Sequence, residues 1–176
     1  MDAAYYGGYV ASAVLYPREV LPSCSGPAAT STCADASLEE IWHVITDLGF
    51  AKVFPSIFSP YYDSESLLVK AMDVARGGTF MTVPDQYPSD AWYTHYDDAC
   101  DYSCQATEYI YWGVNAWVGA LVGRRDQIYD EWRFETKAKL EAGDALMTAL
   151  IKVYIFIKSQ ASQVGPFLGY LNLQAS

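Results

Sequence analysis

Residues 36–50, ASLEEIWHVITDLGF, read as one amphipathic helix, and the rest of the chain is interpreted from it. Ser37 followed three residues later by Glu40 is a capping-box pattern, so the helix is expected to start there. Gly49 is expected to stop it. Leu38, Ile41, Ile45 and Leu48 recur at helical spacing and form an apolar stripe of the kind that faces a core. Glu39, Glu40, His43 and Asp47 lie on the opposite side.

Glu39 and His43 stand one helical turn apart and project from the same side, which is the spacing at which one helix offers two ligands to one metal ion. Glu40 lies between them in sequence, where a zinc-dependent hydrolase helix of the H-E-x-x-H type keeps its general base. Here the first ligand position holds a carboxylate, Glu39, instead of an imidazole. The same residues also make an ordinary solvated polar face, and the pentapeptide alone is compatible with both. Glu108, in a downstream helical stretch crowded with aromatic side chains, adds a third carboxylate. A buried charge in such company is costly unless it is paired or bound to a cation. Glu39, His43 and Glu108 would then be three zinc ligands that leave one position for water, with Glu40 as base and Tyr109 or Tyr111 as donor to a developing oxyanion. The alternative for Glu108 is a hydrogen bond to a tyrosine, or a favourable place near a helix start.

The chain has 176 residues, enough for one domain with a substantial core. Hydrophobic residues make up 52% of it and charged ones 18%, which argues against disorder as the default. The formal net charge of −10, with no basic cluster, argues against nucleic acid as a partner and suits cations or an extracellular surface. Fifteen tyrosines and five tryptophans suit a thick core, a recognition surface or an assembly interface. The longest apolar run, residues 145–157, is interrupted by Lys152 and is too short for a membrane span. Residues 1–23 lack the basic start and continuous apolar run of a signal peptide.

Three regions are expected. Residues 1–34 form a tyrosine-rich extended segment with a loop, residues 35–158 a helical domain, and residues 159–176 a tail. Within the domain, further helices are expected over 64–76, 105–122, 126–132, 136–141 and 145–158, with Gly77-Gly78 and Gly123 as stops. Leu67, Leu68, Ala71, Val74 and Ala75 give the first of these an apolar face. Ile110, Val114, Trp117, Val118 and Leu121 do the same for the second, where Gly113 and Gly119 would permit close helix contact. Residues 79–103 are a loop long enough to be either functional or strapped down. The four cysteines fall in two near pairs, which favours local disulfides Cys24–Cys33 and Cys100–Cys104 and an oxidising compartment.

A second cation candidate is the run Asp97, Asp98 and Asp101 with His95. Clustered oxygen ligands suit calcium, although the run lacks the alternation and central glycine of an EF-hand loop. Such aspartates also cap helices. Neither a nucleophile elbow nor a glycine-rich phosphate loop is present.

Three segments, DASLEEIWHVITDLGFAKVFP, AMDVARGG and YPSDAWYTHYDDACDYSCQATEYIYW, together resemble a recurring domain of secreted proteins that carries an E-E-x-x-H helix, a C-D-Y-x-C step and a T-E-Y helix. The likeness covers residues 35–150 and maps onto Glu39, Glu40, His43, Cys100, Cys104 and Glu108. It implies an extracellular setting and a layout similar to half of a zincin-like metallopeptidase; it brings no established activity. The expectation is therefore a mainly α single domain with little strand, if any, stapled by disulfides and built around a zincin-like metal site. The competing expectation is a non-catalytic structural or assembly subunit, packing on copies of itself or on another extracellular protein through its N- and C-terminal segments.

Overall fold

Ser66 and Asp101 start the two helices that frame the molecule. In a computed structural model, which describes residues 37–157 and Ser159, the Ser66 hydroxyl accepts from the Val69 amide at 3.2 Å and opens α4 (Leu67–Arg76). Gly77, at φ +76°, closes that helix in the left-handed conformation that glycine adopts without strain. The Asp101 carboxylate accepts from the Cys104 amide at 2.9 Å and opens α5 (Tyr102–Val118), which ends at Gly119, φ +81°. Before them come α1 (Ser37–His43), the short α2 (Ala51–Val53) and α3 (Pro55–Phe58). After them come α6 (Arg125–Ile128), α7 (Lys137–Gly143) and a last helix, α8, over residues 145–157. The fold is mainly α; among the described residues the β structure is a single isolated antiparallel bridge, Tyr93 to Trp132.

α5 is the central element and packs against α1, α4 and α7. The core runs along it through Leu68 and Met72 of α4, Tyr109 and Ile110 of α5, Trp132, Leu140 and Met147, all at most 2% exposed. Burying each large apolar side chain of this kind contributes about 2 kcal/mol. Gly113 lets α8 approach, because a β-carbon there would fall 2.4 Å from the Met147 sulfur.

Two buried polar knots hold the helices in register. Arg76 is fully buried; its guanidinium donates to Asp73 Oδ1 (2.6 Å), Gln105 Oε1 (2.6 Å) and the Phe80 carbonyl (3.1 Å) and lies over the Tyr102 ring. Asp144, 2% exposed, accepts from Tyr109 Oη (2.7 Å), Trp92 Nε1 (2.8 Å) and the Met147 amide (2.8 Å), so one carboxylate ties α5, the long loop and the start of α8 together. The long loop is strapped down: Trp92 N donates to the Ala75 carbonyl, Thr94 N to Glu131, and the Cys100–Cys104 disulfide closes its end.

The first helix departs from its expected course. It passes through Gly49: α1 runs without interruption into a π-helical stretch, Val44–Phe50, then into α2, and stops at Phe54, just before Pro55. Its faces are also reversed. Ile41, Ile45 and Leu48 of the apolar stripe are 53%, 37% and 40% exposed. The inward side consists of Trp42, Thr46 and Phe50, with Trp42 and Phe50 packed on Tyr154, while the acidic side with His43 turns towards α5. In α4 and α5 the expected faces are partly shifted: Leu67, Val74 and Val118 are exposed, whereas Val69, Met72 and Arg76 are buried. Cys24, Cys33 and the two terminal segments lie outside the described residues.

Candidate metal centre

α1 and α5 bring Glu39, His43 and Glu108 together; one ligand atom from each lies within 4.8 Å of the other two. Among the described residues no other group of three such side chains meets this condition. His43 Nε2 is 3.5 Å from Glu108 Oε1, and the two side chains are 18% and 15% exposed. That separation is beyond a good hydrogen bond, and Nε2 has no hydrogen-bond partner. It matches the edge of a tetrahedron around zinc, since two bonds of about 2.1 Å at the tetrahedral angle place their ends about 3.4 Å apart.

Burial sets the charges. It lowers the His43 imidazole to about 4, so the ring is neutral at pH 7 and free to ligate. It also pushes the Glu108 carboxyl up to about 8, helped by the charges of Glu39, Glu131, Glu40 and Asp47. The Glu39 carboxyl is likewise raised, chiefly by burial, with a hydrogen bond from Tyr111 acting in the opposite sense. Carboxyls crowded beside neutral imidazole repel further negative charge and favour a bound cation.

The surrounding residues fix these positions. The π-helical stretch begins directly after His43 and carries Asp47 back to α5, where the Thr107 hydroxyl is 2.9 Å from each of its carboxylate oxygens. Tyr111 stands beside the Glu39 carboxyl, close enough for the two to act on each other electrostatically, and lies edge-on to the His43 ring. A cleft of about 230 Å³ opens beside the cluster and is lined by Glu40, His43, Val44, Asp47, Leu48 and Tyr61. Glu40 thus borders both the cluster and accessible space.

Other expected residues lie elsewhere. Tyr109 is fully buried and committed to Asp144, which removes it as an oxyanion donor and leaves Tyr111, of the two expected tyrosines, beside the cluster. In the second cation candidate, Asp101 is the N-cap of α5 and Asp97 accepts from the Ala99 amide, while Asp98 is exposed. His95 turns away from them, its Nδ1 lying 3.6 Å from Glu131 Oε1. Glu131 was not visible as a candidate from sequence; it follows a short irregular helix with no motif around it. The structure places it close enough to act electrostatically on both Glu39 and Glu108.

Comparison with protein-family models, with curated proteins and with solved structures finds no match. The functional reading therefore rests on the chemistry of the site. Among the described residues, no helix is long and apolar enough to cross a membrane.

Proposed function

We propose that this is an extracellular metal-binding protein in which Glu39, His43 and Glu108 hold a zinc ion and Glu40 serves as general base in a zincin-like peptide hydrolysis. The observation that carries the reading is the convergence of the three ligand atoms from two helices, with an unpartnered buried imidazole nitrogen among them. Three protein ligands leave a position for water, which zinc acidifies when bound. Glu40 lines the rim of the cleft, which supports its reading as the base that would take the proton. Tyr111 holds Glu39, and Asp47 with Thr107 holds the turn that follows His43. The Cys100–Cys104 disulfide and the resemblance to a secreted domain support the extracellular setting.

The test is elemental analysis of protein purified without chelators. About one zinc per chain is expected, lost in His43→Ala and Glu108→Gln. Glu40→Gln should keep the zinc and abolish hydrolysis of a peptide library. No transition metal in the wild type, or equal metal in all variants, overturns the metal assignment; zinc without hydrolysis overturns only the enzymatic half.

A second reading, a structural subunit that assembles with copies of itself or another protein, draws on a different observation. Ile41, Ile45, Leu48 and Val53 are exposed along one side of the first helical segment, and Ile45 and Val53 also line an apolar cleft of about 450 Å³ with Phe54 and Ile157. A concentration-independent monomer in sedimentation would remove it.

A further inference from the structure

The cleft beside Glu40 and His43 does not end at Tyr61. Tyr61 lines both that cleft and a larger one of about 400 Å³, whose walls include Tyr62, Asp63, Met81 and Asp101. The two are also tied together on α5. The Thr107 hydroxyl lies 2.9 Å from the Asp47 carboxylate of the first cleft and 3.1 Å from the Ser103 carbonyl of the second. A further space of about 500 Å³ shares Tyr62, Asp63 and Tyr102 with the second cleft, so the three form one groove.

The far part of this groove is aromatic and acidic. Tyr61, Tyr62 and Met81 are exposed within it, which suits a ligand better than a core. Tyr62 stands edge-on to Tyr102 at 5.5 Å, and the Tyr102 hydroxyl donates to Asp73 at 3.0 Å, which fixes the aromatic wall to α4. The charges along the groove do not cancel. Glu65 faces Lys70 at 3.7 Å, and Asp73 faces Arg76 at 2.6 Å. Asp63 and Asp101 have no ion-pair partner among the described residues. The Cys104 amide and the Ser103 hydroxyl donate to Asp101 and hold its carboxyl below the ordinary range, so it stays charged. Among the described residues no third ligand joins these two carboxylates, which disfavours a bare metal ion. Tyrosine rings beside unmatched carboxylates favour an organic cation with an apolar stem.

We propose that this groove carries a peptide away from the metal cluster, and that its far part selects the peptide by taking a lysine or arginine side chain. The stem lies against Tyr62 and Met81, and the charged head sits between Asp63 and Asp101. This rests on the reading of Glu39, His43, Glu108 and Glu40 as a peptidase centre, and it names the class of substrate: basic peptides.

Calorimetric titration of the chelator-treated full chain tests the binding, with a short alanine peptide that carries a central lysine and with norleucine or glutamate in its place. The lysine peptide should bind about 10-fold tighter than the norleucine one, and the glutamate peptide weakest. The preference should vanish in the double variant Asp63→Asn, Asp101→Asn, in which asparagine still caps α5. If circular dichroism shows that variant unfolded, the wild type decides, because the preference should shrink as salt is raised. No binding, equal binding of the three peptides, or a preference that survives the double variant overturns the proposal. The zinc-loaded protein then separates the two readings. Its cuts in a peptide library should fall at a fixed distance from lysine or arginine. Cuts without that preference overturn the basic subsite and leave the peptidase; selective binding without cuts leaves the subsite and overturns the hydrolytic reading.

Discussion

His43 on α1 and Glu108 on α5 face each other at 3.5 Å, yet burial drives both towards their neutral forms. The pair is therefore not a salt bridge, and it makes the protein without bound metal sensitive to pH. Glu108 is raised from the ordinary 4.5 to about 8, so the folded state holds a proton that the unfolded chain releases. Its contribution is complete below 4.5 and is lost as pH rises towards 8. His43 is lowered from 6.5 to about 4, so stability on its account falls as pH drops through that window. Above 6.5 the Glu108 effect outweighs that of His43. Chelator-treated protein should lose about 2 kcal/mol between pH 6.5 and 8 in urea titrations. Glu108→Gln should flatten that slope, and added zinc should reverse it.

Tyr111 stands beside the Glu39 carboxyl, close enough to act on its charge, and packs edge-on against the His43 ring, touching two of the three proposed ligands. Tyr111→Phe keeps the ring and removes the hydroxyl. Zinc affinity should fall about 10- to 100-fold with little change in thermal stability. Competition with a fluorescent chelator would measure it; unchanged affinity would mean that packing alone orients Glu39.

Asp144 satisfies a tyrosine hydroxyl, an indole N–H and the first turn of α8. Asp144→Ala strands two buried donors and removes a cap, and should cost about 3 kcal/mol in urea unfolding. Zinc content should be preserved wherever the protein remains folded, because Asp144 lies outside the proposed metal-binding group.

Arg76 is buried in contact with α5 through Gln105. Arg76→Met fills the space but leaves the Gln105 oxygen and the Phe80 carbonyl short of a donor. A loss of about 3 kcal/mol is expected from equilibrium unfolding. A neutral or stabilising result would show that the apolar replacement offsets the lost network.

The helical character of the chain was legible because its punctuation is local. Gly77 closes its helix where the sequence indicates, α8 begins just after Asp144, and the Cys100–Cys104 pair forms. The E-E-x-x-H spacing and the isolated Glu108 pointed to the group that the fold brings together. The orientation of the first helix was not legible. An apolar stripe ordinarily marks the inward face, but here Ile41, Ile45 and Leu48 are exposed, while the acidic side meets α5. Periodicity identifies two faces and cannot say which one the packing of distant elements turns inward. The His95–Glu131 pair was invisible for another reason: it depends on an isolated bridge between distant loops, which no local spacing encodes.

Anomalous diffraction at the zinc absorption edge, from crystals of protein prepared without chelators, tests the central claim most directly. The account predicts an anomalous peak within bonding distance of Glu39, His43 and Glu108, about 2.0–2.2 Å from one oxygen or nitrogen of each. Well-ordered side chains at these positions with no peak between them, or a peak bound elsewhere while His43 and Glu108 remain apart, would contradict it.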